Sequence, residues 1–249
     1  MLPCQNRSAP SPDSKALSRS VFFWGWRYSN KKFESWTRKM SHLHEPTWKK
    51  AGIFEAVMAS TFKISKNTDL VVGIAEKWCP DTKTFVFPWG ETAITLEDVM
   101  LLSAVLPIAI HLSRGTRIAL APAVLAHLYA ELSLLKTHIT SFSESTREAR
   151  VDLTALFMLV QVWTWERFRE LQPKPNPLLE GEPRLALWYN LLQRTSNARQ
   201  ILDSSKIDSF EWRPYTKTVE NWRFPLFYPE KDMCILVSPC LDDDFTSFA

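Results

Sequence analysis

The chain has 249 residues, enough for one large domain or two small ones. Apolar residues make up 45% and charged residues 23%, which excludes wholesale disorder, and only 6 Gly exclude a collagen-like chain. The net charge of +3 is too small to indicate a nucleic-acid binder by itself. Residues 1–50 carry ten Lys and Arg against three Asp and Glu, whereas residues 201–249 carry five against nine. We expect two solvated surfaces, with contact between the two ends as the alternative.

Neither the cysteines nor the apolar segments indicate an exported or membrane protein. Cys4, Cys79, Cys234 and Cys240 form no CxxC pair, which predicts free thiols of a reducing compartment. The most apolar window, residues 99–112, is shorter than the roughly 20 residues of a membrane span and contains Pro107. We therefore expect a soluble, intracellular protein without membrane contact.

The first half of the chain predicts helices around one hairpin. Residues 1–20 are predicted to be a disordered leader, and a basic, aromatic stretch follows at 22–39. Thr47 is the candidate N-cap of a predicted helix over 48–62, and Thr68 is the candidate N-cap of a predicted helix over 68–78. Residues 84–95 read as strand, turn and strand. An acidic capping box, Thr95 to Asp98, then predicts a helix over 96–103.

The second half continues in the same pattern. One helix is predicted over 119–136. A second is predicted from its N-cap Asp152 through Leu171, and this helix is apolar on most sides, which predicts that it is buried. Prolines at 173, 175 and 177 predict an extended spacer, followed by a short helix over 183–193. An aromatic, proline-rich segment after Asp208 is expected to wrap the helices. The predicted fold is mainly α, with a hairpin at about 84–95 and a candidate short strand near 233–237.

The segment 78–99, with the sequence WCPDTKTFVFPWGETAITLEDV, resembles the signature of the plant mobile domain family. This family is also called aminotransferase-like plant mobile domain and includes maintenance-of-meristems-like proteins. The matching positions are Trp78, Pro80, Thr84, Phe85, Pro88, Gly90, Glu91, Thr95, Leu96, Asp98 and Val99. Segments 47–56, 161–168 and 210–215 agree as well, so that the resemblance covers residues 21–249 as one partial domain.

The resemblance also implies a shortened copy. Residues 101–108, LLSAVLPI, lead directly into a stretch that resembles the family well downstream, and relatives continue beyond the position of residue 249. We therefore expect an internally deleted, C-terminally truncated member.

Functionally, the resemblance implies a nuclear, non-enzymatic interaction protein of transposable-element silencing, genome stability and meristem maintenance, with a phosphatase-7-like partner. It implies no catalytic residue, cofactor or metal. The residues do not support the aminotransferase-like label, because no Gly-rich loop could hold a pyridoxal phosphate. His42 and His44 lack metal-ligand spacing and are predicted to lie on a surface loop, and 242–244 reads as a solvated acidic stretch.

Two sets of residues remain as candidates for particular roles. Trp and Arg among aromatic residues are predicted to specify the fold, with each Arg stacked on a ring or paired with an acid: Trp48, Trp163, Trp165, Glu166, Arg167, Trp212, Arg213, Pro214 and Tyr215. The alternative function is a DNA- or RNA-binding module derived from a mobile element, using residues 22–39. Its candidate contacts are Trp24, Trp26, Arg27, Lys31, Lys32, Trp36, Arg38 and Lys39. The same aromatic residues could instead dock the N-terminal segment on the core, and this is the reading that we favour.

Overall fold

The computed structural model describes residues 14–26, 28–50, 54–102, 120–142, 149–180, 182–191 and 197–222. Within them the fold combines eight α-helices with two small sheets, and is mixed rather than purely helical. The helices are α1 (Ser14–Ser20), α2 (Lys31–Lys50), α3 (Phe54–Ala59), α4 (Thr68–Ala75), α5 (Leu96–Leu102), α6 (Leu120–Ser141), α7 (Phe157–Arg167) and α8 (Ala198–Ser204). The strands are β1 (Val21–Phe23), β2 (Trp78–Cys79), β3 (Thr84–Phe87), β4 (Gly90–Thr92) and β5 (Val151–Leu153).

The predicted hairpin is confirmed, and it belongs to a larger sheet. Strands β2, β3 and β4 pair antiparallel in that order. Gly90 adopts φ of 145°, a conformation that only glycine takes readily, and so permits the tight turn into β4. Strand β4 ends at Thr92. The prediction that a helix continues to Trp78 is wrong, because Trp78 and Cys79 form β2, and the Trp78 ring packs on Phe85 with centroids 5.1 Å apart.

The second sheet, which the sequence did not predict, joins distant parts of the chain. Strands β1 and β5 pair in parallel, with Val21 opposite Val151. A Cβ on Gly25 would lie 2.2 Å from the carbonyl oxygens of Thr154 and Ala155, so only glycine lets the chain pass there. Asp152 lies in β5 and caps no helix, which corrects the predicted start of α7.

Helix boundaries near the N-terminus also differ from prediction. The predicted leader is wrong over 14–20, where α1 buries Leu17 completely, whereas residues 1–13 lie outside the described ranges. The predicted helix start at Trp48 is wrong as well, because α2 runs through Pro46 and Thr47 to Lys50, whereas α3 lies within the predicted range 48–62. Asn67, one residue before the predicted cap, caps α4 by accepting the Leu70 amide hydrogen bond.

Later helices agree better. Helix α5 lies within the predicted range, and α6 extends the predicted helix by five residues. In place of the helix predicted over 183–193, a 3-10 segment spans Arg184–Trp188, and α8 was not predicted. The predicted strand near 233–237 lies outside the described residues.

The core is built around α7. All 11 residues of this helix are buried, which confirms the prediction made from its apolar surface. The helix contacts α4 and α5, and its Trp163 ring lies 5.2 Å from Phe85 and 6.2 Å from Phe210. Among the described helices, none is long and apolar enough to cross a bilayer. Cys79 is buried in β2.

Candidate functional site

A group of paired charges lies inside the core. It begins at Asp98, whose side chain is completely buried in the first turn of α5. The Oδ2 atom of Asp98 accepts hydrogen bonds from the Thr95 amide at 2.7 Å and the Thr95 hydroxyl at 2.9 Å. The predicted acidic capping box is therefore present, and it holds the carboxylate in a fixed orientation.

The other oxygen of Asp98 reaches residues far away in the chain. Its Oδ1 atom lies 2.7 Å from Nη2 of Arg167 and accepts a 2.6 Å hydrogen bond from the Tyr215 hydroxyl. Arg167 also donates from Nη1 to the carbonyl oxygens of Glu211, at 3.1 Å, and Trp212, at 3.0 Å. One guanidinium thus ties α7 to α5 and to the C-terminal described segment.

A second buried ion pair stands beside the first. Arg184 forms two parallel hydrogen bonds with Glu166, from Nε to Oε1 at 3.0 Å and from Nη2 to Oε2 at 2.8 Å. Such bidentate pairs are among the strongest side-chain contacts. The indole N–H of Trp188 donates to Oε1 of Glu166 at 3.0 Å, and Arg184 also donates to the Pro214 carbonyl.

Tyr215 stands between the two pairs. Its ring centroid lies 5.8 Å from the guanidinium carbon of Arg167 and 5.2 Å from that of Arg184. Burial, and next the negative charge of Asp98, raise the pKa of the Tyr215 hydroxyl well above its usual value. Burial acts to lower the pKa of Arg167, but Asp98 and Tyr215 outweigh it, and the pKa is raised. We call Asp98, Glu166, Arg167, Arg184 and Tyr215 the paired-charge cluster.

The cluster is suited to holding elements together. Each carboxylate already faces an arginine and further donors, and each of the five side chains is almost wholly enclosed. Among the buried side-chain nitrogen and oxygen atoms described for these five residues, only Nε of Arg167 and Nη1 of Arg184 have no hydrogen-bond partner. No group of three or more His, Cys, Asp or Glu in the described ranges could hold a metal ion.

The signature residues divide between this core and the surface. Trp78, Phe85, Asp98 and Val99 are buried, whereas Pro88, Glu91, Thr95 and Leu96 are exposed, and Pro80, Thr84 and Gly90 are intermediate. Glu91 accepts a 2.7 Å hydrogen bond from the Thr84 hydroxyl across the hairpin. The signature therefore coincides with the three-stranded sheet and with the α5 cap that orients Asp98.

The fold-specifying candidates are also divided. Trp163, Trp165, Glu166, Arg167, Pro214 and Tyr215 are buried. Trp48 and Trp212 are half-buried, and Arg213 is exposed. Arg184 and Trp188 were missed. The only local signal for them is that they lie four residues apart in one short segment. Their shared partner, the Glu166 carboxylate, precedes Arg184 by 18 residues and Trp188 by 22.

The predicted nucleic-acid contacts are not all accessible at the surface. Trp26 is buried and donates to the Ile64 carbonyl at 3.0 Å, so its ring is unavailable for stacking, and this prediction is wrong. Trp24 is 60% exposed and donates to Asp152 at 2.8 Å. Arg27 lies outside the described residues. The remaining five candidates, Lys31, Lys32, Trp36, Arg38 and Lys39, are exposed on α2. His42 and His44 lie on this helix too, which corrects their predicted loop.

A second surface feature follows α7 in the chain. Prolines at 173, 175 and 177 fix their own φ angles and restrict the residues before them to extended conformations. Asn176 points inward and donates to the Tyr189 carbonyl at 2.8 Å, and the Leu178 carbonyl accepts from Asn221 at 2.8 Å. The side chains at the alternate positions, Pro175, Pro177 and Leu179, are exposed, and we call these three residues the proline ridge.

Comparison with known families places this structure in a class. The family model of the plant mobile domain matches residues 52–106 and 101–249, which is most of the chain. The match indicates a mobile-element-derived domain, of a type not known to be catalytic. The chain belongs to the plant mobile domain family, as the signature residues indicated. The two matched ranges overlap at residues 101–106, in the stretch where the internal deletion is predicted. That deletion stays a prediction. Comparisons with curated proteins and with solved structures give no match.

Proposed function

We propose that this chain is a non-enzymatic interaction protein that acts in the nucleus in transposable-element silencing, genome stability and meristem maintenance. A phosphatase-7-like protein is its proposed partner. Membership of the plant mobile domain family supports the general role, and the resemblance stated above supports the finer terms.

The paired-charge cluster is the observation that carries the non-enzymatic part of the proposal. A catalytic acid or base must reach a substrate, and must hold or release a proton near the working pH. Glu166 is 5% exposed and Asp98 is not exposed at all, and both are already paired with arginines. A role in joining α5, α7, the 3-10 segment Arg184–Trp188 and the C-terminal described segment accounts for the contacts described for these two residues.

The proline ridge supports a protein partner. Extended proline segments bind aromatic-lined grooves at a low entropic cost because their backbone is already ordered. Here Asn176 and Asn221 hold the segment from behind, and the outward side chains include Leu179 at 69% exposure. We assign the ridge as the surface that contacts the partner.

Affinity purification from plant nuclei, after nuclease treatment, tests this proposal. We expect a phosphatase-7-like protein to co-purify with the parent chain and to be depleted with the Pro177→Ala/Leu179→Ala variant. Leu134→Ala is the matched control, because Leu134 is another exposed leucine, 49% exposed on α6. Capture of no phosphatase-like protein would refute the partner, and equal capture by both variants would refute the ridge. A cofactor or metal retained by the purified chain would count against the non-enzymatic role.

A further inference from the structure

Helix α2 presents a face that the proposed protein-interaction role does not use. Spacings of four, three, four and seven residues place five side chains on one side of this helix. They are Lys32, Trp36, Lys39, Leu43 and Lys50, all of them exposed, and we call them the basic face. The opposite side packs inward, with Thr37 and Ser41 buried. Because Thr37 and Ser41 face the protein, the five side chains of the basic face are directed toward the solvent.

The charge of this face has no counterpart on its own helix. The helix contains six Lys and Arg and only two acids, Glu34 and Glu45. Glu34 accepts a 2.6 Å hydrogen bond from Ser29, and Glu45 pairs with Lys49 at 2.7 Å. Within the described ranges, no carboxylate lies within ion-pair distance of Lys32 or Lys39. The basic face is thus complementary to an anionic partner.

Its aromatic residue identifies which polyanion fits. The Trp36 ring stacks on Phe33 with centroids 5.9 Å apart, which supports one side of the indole, and Trp36 is 52% exposed. Lys32 and Lys39 lie on either side of it, about 10 Å apart along the helix axis at 1.5 Å per residue. An exposed ring between two cations matches a base between phosphates. In a duplex the bases are already stacked on one another and are not available to an indole.

We propose that the basic face of α2 binds single-stranded nucleic acid, with Trp36 stacking on a base and Lys32 and Lys39 contacting phosphates. This site is separate from the proline ridge, so either proposal can fail alone. It retains three of the eight candidate contacts, Lys32, Trp36 and Lys39, and does not include the buried Trp26.

Fluorescence anisotropy with labelled oligo(dT), oligo(U) and a duplex of mixed sequence tests the site on the full chain. At low salt we expect binding to the single strands, and Trp36→Ala to weaken it by about 5- to 150-fold. The Lys32→Ala/Lys39→Ala variant is expected to reduce the slope of log affinity against log salt by about 1.4, since each phosphate contact contributes about 0.7.

Matched controls separate this site from general charge and hydrophobicity. Lys83→Ala/Lys174→Ala removes two exposed lysines from other segments and is expected to keep the salt slope. Trp24→Ala removes a tryptophan more exposed than Trp36 and is expected to keep the affinity. Because all these residues are exposed, we expect each variant to melt close to the temperature of the parent chain. Measuring the melting temperature of each variant checks that it is folded.

Three results would overturn the proposal. One is the absence of single-strand binding at low salt. Another is an equal loss of affinity in the test and control variants. The third is duplex binding as tight as single-strand binding with no effect of Trp36→Ala, which would indicate contact with phosphates alone.

Discussion

The paired-charge cluster and the basic face of α2 use similar residues in opposite settings. In the cluster, Arg167 and Arg184 are enclosed among tryptophan and tyrosine rings and each faces a carboxylate. On α2, Lys32 and Lys39 flank an exposed tryptophan, and no acid among the described residues pairs with either lysine. A buried charge must be paired because water is excluded, whereas an exposed charge retains its hydration and stays available to a ligand. Burial, rather than residue type, separates a structural from a binding role here.

Breaking the buried pair gives the largest expected effect. We expect Glu166→Ala to lower the free energy of unfolding by about 3–5 kcal/mol, because Arg184 would remain buried without its carboxylate. Urea denaturation followed by circular dichroism measures this loss. The double variant Glu166→Met/Arg184→Met is the control, and it is expected to lose less than the single variant because it removes both charges. A single variant as stable as the parent chain would show that the pair is solvated.

Two tryptophans sharpen the comparison within the core itself. Trp165 is fully buried, with its ring 5.7 Å from Trp188, whereas Trp212 is half-buried against Trp89 and Phe210. We expect Trp165→Ala to cost about 3–5 kcal/mol and Trp212→Ala about 2 kcal/mol, in proportion to the area removed from water. Thermal unfolding of both variants checks the order. Equal losses would contradict the burial that distinguishes them.

His138 provides a pH-dependent test at the edge of the core. Burial lowers the pKa of this imidazole below its ordinary 6.5, and its Nε2 atom lies 2.8 Å from the Ser20 hydroxyl. Because the unfolded chain binds the proton more readily, stability is expected to fall as the pH drops from about 7 through 6.5 toward the lowered pKa. The effect should be smaller than that of either tryptophan substitution. Denaturation curves at pH 7.5 and 5.5 measure it, and His138→Gln should reduce the difference between them. An unchanged difference would assign the pH dependence to other groups.

The smallest effect is expected on the basic face. Trp36→Ala removes an aromatic side chain of the same type as Trp165, yet the unfolding free energy should change by no more than about 0.5 kcal/mol. Thermal unfolding beside Trp165→Ala compares the two directly. A loss of several kcal/mol would mean that Trp36 is covered by another part of the chain.

Local signals predicted some elements well. The Thr95–Asp98 box and the glycine turn of the hairpin lie within a few residues of the groups that they bond, so their geometry follows from the sequence. The continuous apolar surface of α7 likewise predicted its burial. Thr47 misled the helix assignment because Thr is a common N-cap residue, whereas α2 continues through Pro46 and Thr47 to Lys50.

Partners of the cluster could not be predicted in the same way. Arg167 reaches Asp98 across 69 residues, and Tyr215 reaches it across 117. The sequence distinguishes all three residues but contains no signal that pairs them, and it does not distinguish Arg184 at all. The parallel pairing of β1 with β5 was missed for the same reason, because its two short strands carry no local turn that connects them.

The sequence by itself determined the family, the hairpin with its capped helix and the buried character of α7, since these depend on residue type and short spacing. Only the tertiary structure decided which tryptophans and cations are enclosed and which face the solvent. Enclosure depends on the side chains that distant segments bring around a residue, and no short stretch of sequence records that arrangement.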